Sequence, residues 1–110
     1  MKIGFIGTGK ITSSIIYGIF KSKLKITKIY ISSRNKTISK KLSKKFKSVK
    51  IVKDNQEIVN NSSIIFLAIT PTVGLKILNL LRFPSNKKII SFIATISLTK
   101  LKKLTKNKNI

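Results

Sequence analysis

Hydrophobic positions along the chain alternate between strand-like and helix-like spacing from one end to the other. This pattern predicts five strands, at Lys2–Ile6, Lys28–Ser32, Val49–Val52, Ser63–Ile69 and Lys88–Ile93. It also predicts helices at Lys10–Phe20, Lys36–Phe46, Asn55–Val59, about Thr72–Leu81 and Leu98–Thr105. Strands that alternate with helices are joined by right-handed crossovers. We therefore predict an α/β fold, a doubly wound parallel sheet of Rossmann type with helices on both faces.

The length of 110 residues suits one domain. We expect this domain to occupy residues 1–106 and the lysine- and asparagine-rich tail, residues 107–110, to be frayed. The apolar run Ile64–Ile69 is far shorter than the roughly 20 residues that span a bilayer. The first residues lack the pattern of a signal peptide. We therefore expect a cytoplasmic protein that has no membrane partner.

The charge is strongly positive, with 24 basic residues against 2 acidic ones and a net charge of +22. Such a balance is typical of nucleic-acid-binding proteins. However, the only arginines are Arg34 and Arg82, the lysines are dispersed, and no aromatic side chains interleave with them. We therefore expect no specific nucleic-acid partner and only nonspecific adhesion to polyanions at low salt.

Few residues of this chain are suited to acid–base or metal chemistry. The sequence contains no cysteine and no histidine, and its only carboxylates are Asp54 and Glu57. Their spacing of three residues at a helix start suits a capping box better than an acid–base pair. We expect no metal site and no catalytic side chain.

A Gly-x-Gly turn follows the first predicted strand, with Gly7 and Gly9 placed just before the first helix. Gly7 allows a tight turn, and Gly9 lets the backbone approach a pyrophosphate at the helix N-terminus. The third glycine of this pattern is replaced by Thr12. Lys10 either adds a cation to this site or is an ordinary solvated lysine.

The segment after the second strand favours NADP over NAD. An NAD site usually has an acidic residue here, which accepts hydrogen bonds from the ribose. This chain has instead Ser33, Arg34, Asn35 and Lys36, all able to donate to a 2′-phosphate. Alternatively, Ser33 and Asn35 only cap the next helix and Arg34 is solvated. After the third strand, Asn55 is placed to reach the adenosine ribose or its phosphate.

These motifs, in this order, resemble the N-terminal NADP-binding domain of the pyrroline-5-carboxylate reductase family over essentially the whole chain. The similar segments are IGFIGTG at 3–9, SSR at 32–34, the segment around Asn55, FLAITP at 66–71 and ISFIATI at 90–96. The resemblance implies that NADPH, preferred over NADH, contacts Ile6, Gly7, Thr8, Gly9, Lys10, Ile11, Ser33, Arg34 and Asn55. It further implies that Ala68, Ile69, Thr70, Pro71, Ile93 and Ala94 surround the nicotinamide.

The family's reaction is the reduction of 1-pyrroline-5-carboxylate to proline, the last step of proline biosynthesis. Lys10, Thr12, Thr70 and Thr95 depart from the family pattern, so a divergent imine or carbonyl reductase is an alternative. Family members continue into a helical domain that binds the imine substrate and forms the homo-oligomer. We therefore expect either a fragment of a longer oxidoreductase, with little turnover by itself, or a non-catalytic NADP(H)-binding module.

Overall fold

Five strands and five α-helices alternate along the chain in the computed structural model, which describes residues 1–110. The strands are β1 (Lys2–Ile6), β2 (Lys28–Ser32), β3 (Val49–Val52), β4 (Ile64–Leu67) and β5 (Lys88–Ser91). The helices are α1 (Lys10–Lys21), α2 (Lys36–Lys45), α3 (Asn55–Asn61), α4 (Pro71–Ile77) and α5 (Leu98–Thr105). A short 3-10 helix, Leu78–Leu80, follows α4.

All strand pairs are parallel, and the strands lie in the order β3-β2-β1-β4-β5. The sheet grows outward from β1 to β3, and the chain then returns to the other side of β1 to form β4 and β5. Ile3 of β1 is in register with Ile29 of β2 on one side and with Ile64 of β4 on the other. The predicted Rossmann-type fold is therefore confirmed, with its switch in strand order between β1 and β4.

Helices cover both faces of the sheet and bury two hydrophobic clusters. In one cluster, Ile16 of α1 and Leu42 of α2 pack against Ile3, Phe5 and the β2 isoleucines. In the other, α3, the 3-10 helix and α5 pack against Ile6, Ile65 and Leu67. Burial on both faces explains why the central strands β1 and β4 consist of nearly continuous apolar residues rather than alternating ones.

Helix α3 crosses β1 so closely that glycine is required in the strand. A Cβ atom at Gly4 would collide with the Ser62 hydroxyl and with the Ile58 side chain. The Ser62 hydroxyl itself donates to the Ile58 carbonyl at 2.6 Å, which satisfies this buried group at the end of α3. Gly4 therefore sets the distance between the sheet and α3.

Element boundaries differ from the prediction mainly around β4 and α4. The predicted strand Ser63–Ile69 is shorter, because Thr70 caps α4 through Val73 N–H and Pro71 occupies its first turn. Proline suits that position, since the first helical N–H groups have no intrahelical acceptor. The helix predicted to reach Leu81 ends at Ile77 and continues only as the 3-10 helix.

The C-terminal tail is anchored, which contradicts the expectation that residues 107–110 are frayed. Asn107 is 2% exposed, and its amide nitrogen donates to the carbonyls of Pro84 at 3.0 Å and Lys87 at 3.2 Å. The Asn109 carbonyl accepts a hydrogen bond from Ile89 N–H of β5 at 2.9 Å. The two asparagines therefore fasten the tail to β5 and to the turn before it.

No helix in the structure combines the length and the apolar character that crossing a membrane requires.

The loop after β5 contains a strained residue, Thr95, whose φ is 67°. A β-branched residue in this left-handed region is disfavoured by about 1 kcal/mol or more, whereas glycine adopts it freely. Thr95→Gly should therefore raise the free energy of unfolding, measured in urea, by about 1 kcal/mol. Thr99→Gly, the same change in the exposed first turn of α5, should lower it by up to about 0.5 kcal/mol. A Thr95→Gly variant less stable than the wild type would contradict this account.

Candidate functional site

The turn after β1 combines two glycines with different surroundings. Gly7 has φ 103°, and a Cβ atom there would collide with the Ala68 carbonyl oxygen at the end of β4. Glycine is therefore required at this position by the protein itself. Gly9 has an extended backbone, and no protein atom lies within 4 Å of where its Cβ would be. Gly9 also lines the groove described below, and the lack of crowding there fits a ligand that approaches the backbone.

Thr12 replaces the third glycine of the fingerprint without disturbing the turn. Its side chain is fully buried, and its hydroxyl donates to the Gly7 carbonyl at 2.7 Å. The hydroxyl therefore supports the turn from behind. Helix α1 begins directly after Gly9, which contributes no side chain to cap it. The first N–H groups of α1 thus lack a side-chain acceptor, a state that favours anion binding.

A groove of about 630 Å³ opens at the carboxyl ends of β1 and β4, where the strand order switches. Parallel sheets of this type bind ligands at this position, because the loops of the two halves diverge there. The loops after β1, β2 and β4 line the groove together with the first residues of α2 and α4. Its lining residues are Gly7, Thr8, Gly9, Arg34, Asn35, Lys36, Ala68, Ile69, Thr70 and Val73.

The β2 end of the groove is basic. Arg34 and Lys36 are exposed there, and no carboxylate lines the groove. Asn35 caps α2, because its side-chain oxygen accepts from Ile38 N–H at 3.2 Å. The alternative interpretation, in which Asn35 caps the helix, is therefore correct as far as the side-chain oxygen of Asn35 is concerned. Its amide nitrogen remains a donor beside the two cations, and this donor set suits a phosphate group.

Both carboxylates of the chain lie outside the groove, at the start of α3. The Asp54 carboxylate accepts from Glu57 N–H at 2.9 Å, and the Glu57 carboxylate accepts from Lys53 N–H at 3.3 Å. This arrangement is close to the capping box that the sequence predicts, except that Glu57 accepts from the N–H of the residue before the cap. Asn55 is the first residue of α3 and is half-buried beyond the groove lining.

The structure brings part of the predicted site together and leaves the remainder around it. Seven predicted residues line the groove, namely Gly7, Thr8, Gly9, Arg34, Ala68, Ile69 and Thr70. The other predicted residues in these loops do not line the groove. Two of them are buried, Ile6 and Ile93. Pro71 is half-buried, and four are exposed, namely Lys10, Ile11, Ser33 and Ala94. Contact of these residues with a cofactor stays a prediction.

Three lining residues, Asn35, Lys36 and Val73, lie outside the contact set that the resemblance implied, although the sequence analysis names Asn35 and Lys36 as possible phosphate donors. Lys36 had a detectable signal, because it begins α2 directly after the basic segment. Val73 lies in the first turn of α4, and its N–H donates to the Thr70 hydroxyl at 3.4 Å. Its place in the groove depends on the early start of α4 at Pro71, which the hydrophobic pattern alone did not indicate.

A dinucleotide with an extra phosphate fits these residues. The turn at Gly7–Gly9 offers free N–H groups and room at the backbone, and the β2 loop offers a guanidinium, an ammonium and an amide. The remaining wall, Ala68 to Thr70 with Val73, is small or apolar and suits a flat ring.

Comparisons with known proteins identify the family to which this chain belongs. Residues 2–95 match the family described as "NADP oxidoreductase coenzyme F420-dependent". An uncharacterized 28.5 kDa protein in the 7S RNA 5′ region of Methanothermus fervidus is 39% identical over 77 residues, which are 70% of this chain and 29% of that protein.

Solved structures of pyrroline-5-carboxylate reductases are similar over nearly the whole chain. The enzyme from Streptococcus pyogenes superimposes with a TM-score of 0.77 and 28% identity over 96% of this chain and 38% of that one. The enzyme from Plasmodium falciparum, solved with NADP bound, gives a TM-score of 0.76 and 24% identity, again over 96% and 38%. The chain thus spans well under half the length of these relatives. Since the match covers most of its length, the chain belongs to the NADP oxidoreductase, coenzyme F420-dependent family, as an N-terminal NADP-binding domain similar to that of pyrroline-5-carboxylate reductase.

Proposed function

We propose that this chain binds NADPH, in preference to NADH, as the cofactor domain of a reductase that converts 1-pyrroline-5-carboxylate to proline. One observation carries the proposal: the groove joins an open Gly7–Gly9 turn to a basic, carboxylate-free β2 loop. The turn suits the diphosphate shared by both cofactors. The basic loop suits the 2′-phosphate that only NADPH possesses.

Each part of the groove then has a distinct role. Gly9 and the first N–H groups of α1 would hold the diphosphate, while Arg34 and Lys36 would hold the 2′-phosphate. Ala68 and Thr70 would place the nicotinamide beside the strand ends. NADPH, when bound, supplies the hydride that reduces the carbon of a C=N bond. The protein's contribution is orientation and the exclusion of water from one face of the ring.

The substrate and assembly require more protein than this groove. The chain spans 38% of the S. pyogenes reductase structure, and the groove has the size of a cofactor site. In this proposal a further domain binds the imine carboxylate and makes the homo-oligomer. The resemblance to pyrroline-5-carboxylate reductase supports proline as the product. If the chain belongs to a divergent reductase instead, the substrate is a related imine or carbonyl compound.

A non-catalytic NADP(H)-binding module is the second candidate, and the position of the carboxylates favours it. Asp54 and Glu57 are both used in the α3 cap, and the only ionisable side chains that line the groove are Arg34 and Lys36. The groove therefore contains no carboxyl group and no imidazole that could act as a general acid. This arrangement is sufficient for holding a cofactor.

Gly9→Ala tests the diphosphate position. The added Cβ meets no protein atom and the backbone is extended, so folding should be unchanged within about 0.5 kcal/mol. NADPH and NADH should each bind roughly tenfold more weakly or worse, because the methyl group occupies the ligand's approach to the backbone. Isothermal titration calorimetry at physiological salt measures both affinities. Gly18→Ala, the same substitution at an open position in α1, should leave both affinities unchanged. Unaltered binding by the Gly9 variant would exclude this turn as the diphosphate site.

Arg34→Asp tests the preference for NADPH. A carboxylate repels the 2′-phosphate and removes a charge-assisted hydrogen bond, so the ratio of NADH to NADPH dissociation constants should fall by about 10- to 100-fold. Lys41→Asp makes the same change in net charge on the exposed surface of α2, outside the groove. Its effect should be small at physiological salt, where the Debye length is about 8 Å. Equal effects of the two variants would mean that general charge, and not Arg34, selects NADPH.

Turnover separates the two candidate functions. We expect this 110-residue chain to oxidise NADPH with 1-pyrroline-5-carboxylate no faster than a reaction without protein. A longer product of the same gene, if it carries the substrate domain, should show robust turnover, followed as loss of NADPH absorbance. Inactivity of every product that binds NADPH would support the module, and rapid turnover by the 110-residue chain would overturn our assignment of substrate binding to a further domain.

A further inference from the structure

A chain of buried hydroxyl groups connects the two phosphate-binding parts of the groove. Thr8 lies between the two glycines of the β1 turn, and its hydroxyl is 3.1 Å from the Ser32 carbonyl oxygen and 3.2 Å from the Ser32 hydroxyl. Ser39 of α2 approaches the same carbonyl, to which its hydroxyl donates at 2.7 Å. All three residues are buried, and Ser39 is completely so.

The hydrogen-bonding capacity of these groups is used internally. Thr8 has one hydroxyl proton, which it donates to the Ser32 carbonyl, and its lone pairs accept the Ser32 hydroxyl proton. The Ser32 carbonyl has two lone pairs and accepts from both Thr8 and Ser39. The Thr8 hydroxyl proton is therefore already used within the protein. What the hydroxyl contributes to the groove follows from the groups that it connects.

Ser32 is the last residue of β2, and Arg34 follows it by two positions. The hydroxyl cluster of Thr8, Ser32 and Ser39 therefore ties the start of the basic loop to the glycine turn on one side and to α2 on the other. Asn35 fastens the far end of the loop by capping α2. Arg34 is thus held between two anchored residues.

The two phosphate sites must match one ligand. In NADPH the diphosphate and the 2′-phosphate are joined through a single ribose, so their separation varies little. The protein must present its N–H groups at the turn and the Arg34 guanidinium at a matching separation, since a displaced charge loses much of a bidentate interaction. NADH lacks the 2′-phosphate and makes no such demand.

We propose that Thr8 and Ser39 are positioning residues for cofactor selectivity, acting through Ser32 to set the distance between the glycine turn and Arg34. This inference rests on the proposed function, because it presumes that NADPH occupies the groove. Its distinctive consequence is that loss of either hydroxyl lowers affinity for NADPH more than affinity for NADH.

The test measures dissociation constants of NADPH and NADH for folded variants of the 110-residue chain at physiological salt. Thr8→Val keeps the side-chain shape but removes the hydroxyl, and Ser39→Ala removes a hydroxyl that does not line the groove. Each should lower the selectivity for NADPH by about fivefold, the equivalent of one neutral hydrogen bond. Thr8→Ser retains the hydroxyl and should restore the wild-type ratio.

Thr12→Val is the matched control. Its hydroxyl is also buried and also bonds within the turn, to the Gly7 carbonyl at 2.7 Å, but it has no link to Ser32. It should therefore weaken both cofactors by the same factor and leave their ratio unchanged.

The outcomes distinguish the two proposals. If the wild-type chain binds neither cofactor, or binds both equally, the proposed function fails and this inference fails with it. If the wild type prefers NADPH and the preference survives in Thr8→Val and Ser39→Ala, only the positioning role is wrong. If Thr12→Val loses as much selectivity as Thr8→Val, both losses result from a general loosening of the turn. That outcome would overturn the inference.

Discussion

The contact between Gly7 and the Ala68 carbonyl is the constraint on which the rest of the site depends. This contact is possible only for a residue without a Cβ, in a backbone conformation with φ 103°. It joins the ends of β1 and β4 at the point where the strand order reverses. The groove lies at these strand ends, where the loops after β1, β2 and β4 meet.

The positive charges that line the groove must be distinguished from the excess of positive charge over the whole surface. A net charge of +22 surrounds the whole molecule with a positive potential, which attracts any anion and selects none. Selection requires donors of fixed direction and the absence of competing carboxylates. The groove lining has no carboxylate, because Asp54 and Glu57 are bound into the α3 cap, and the Asn35 cap anchors the backbone next to Arg34. The lining of the groove, rather than the overall composition, therefore distinguishes it from the rest of the surface.

Local patterns predicted most of the fold and part of the site. The bounds of β1, β2, β3 and α5 match the prediction, because each is a periodic segment bordered by polar or turn residues. The anchored tail was not predictable, since Asn107 finds its carbonyl partners 20 and 23 residues away. The same limit applies to Thr8 and Ser32, which are separated by 24 residues. A hydroxyl group forms hydrogen bonds with many partners, and only the folded chain determines which one it meets.

The bond between Asn109 and Ile89 has a consequence for how copies of this molecule behave toward one another. Strand β5 ends the sheet, and an unpaired outer strand is a template onto which strands of other molecules add. By accepting the Ile89 N–H, the Asn109 carbonyl occupies one of the positions that such an addition would need. Residues 107–110 therefore reduce the part of the β5 edge with which a strand of another molecule could pair, and mutual repulsion between lysine-rich surfaces acts in the same direction.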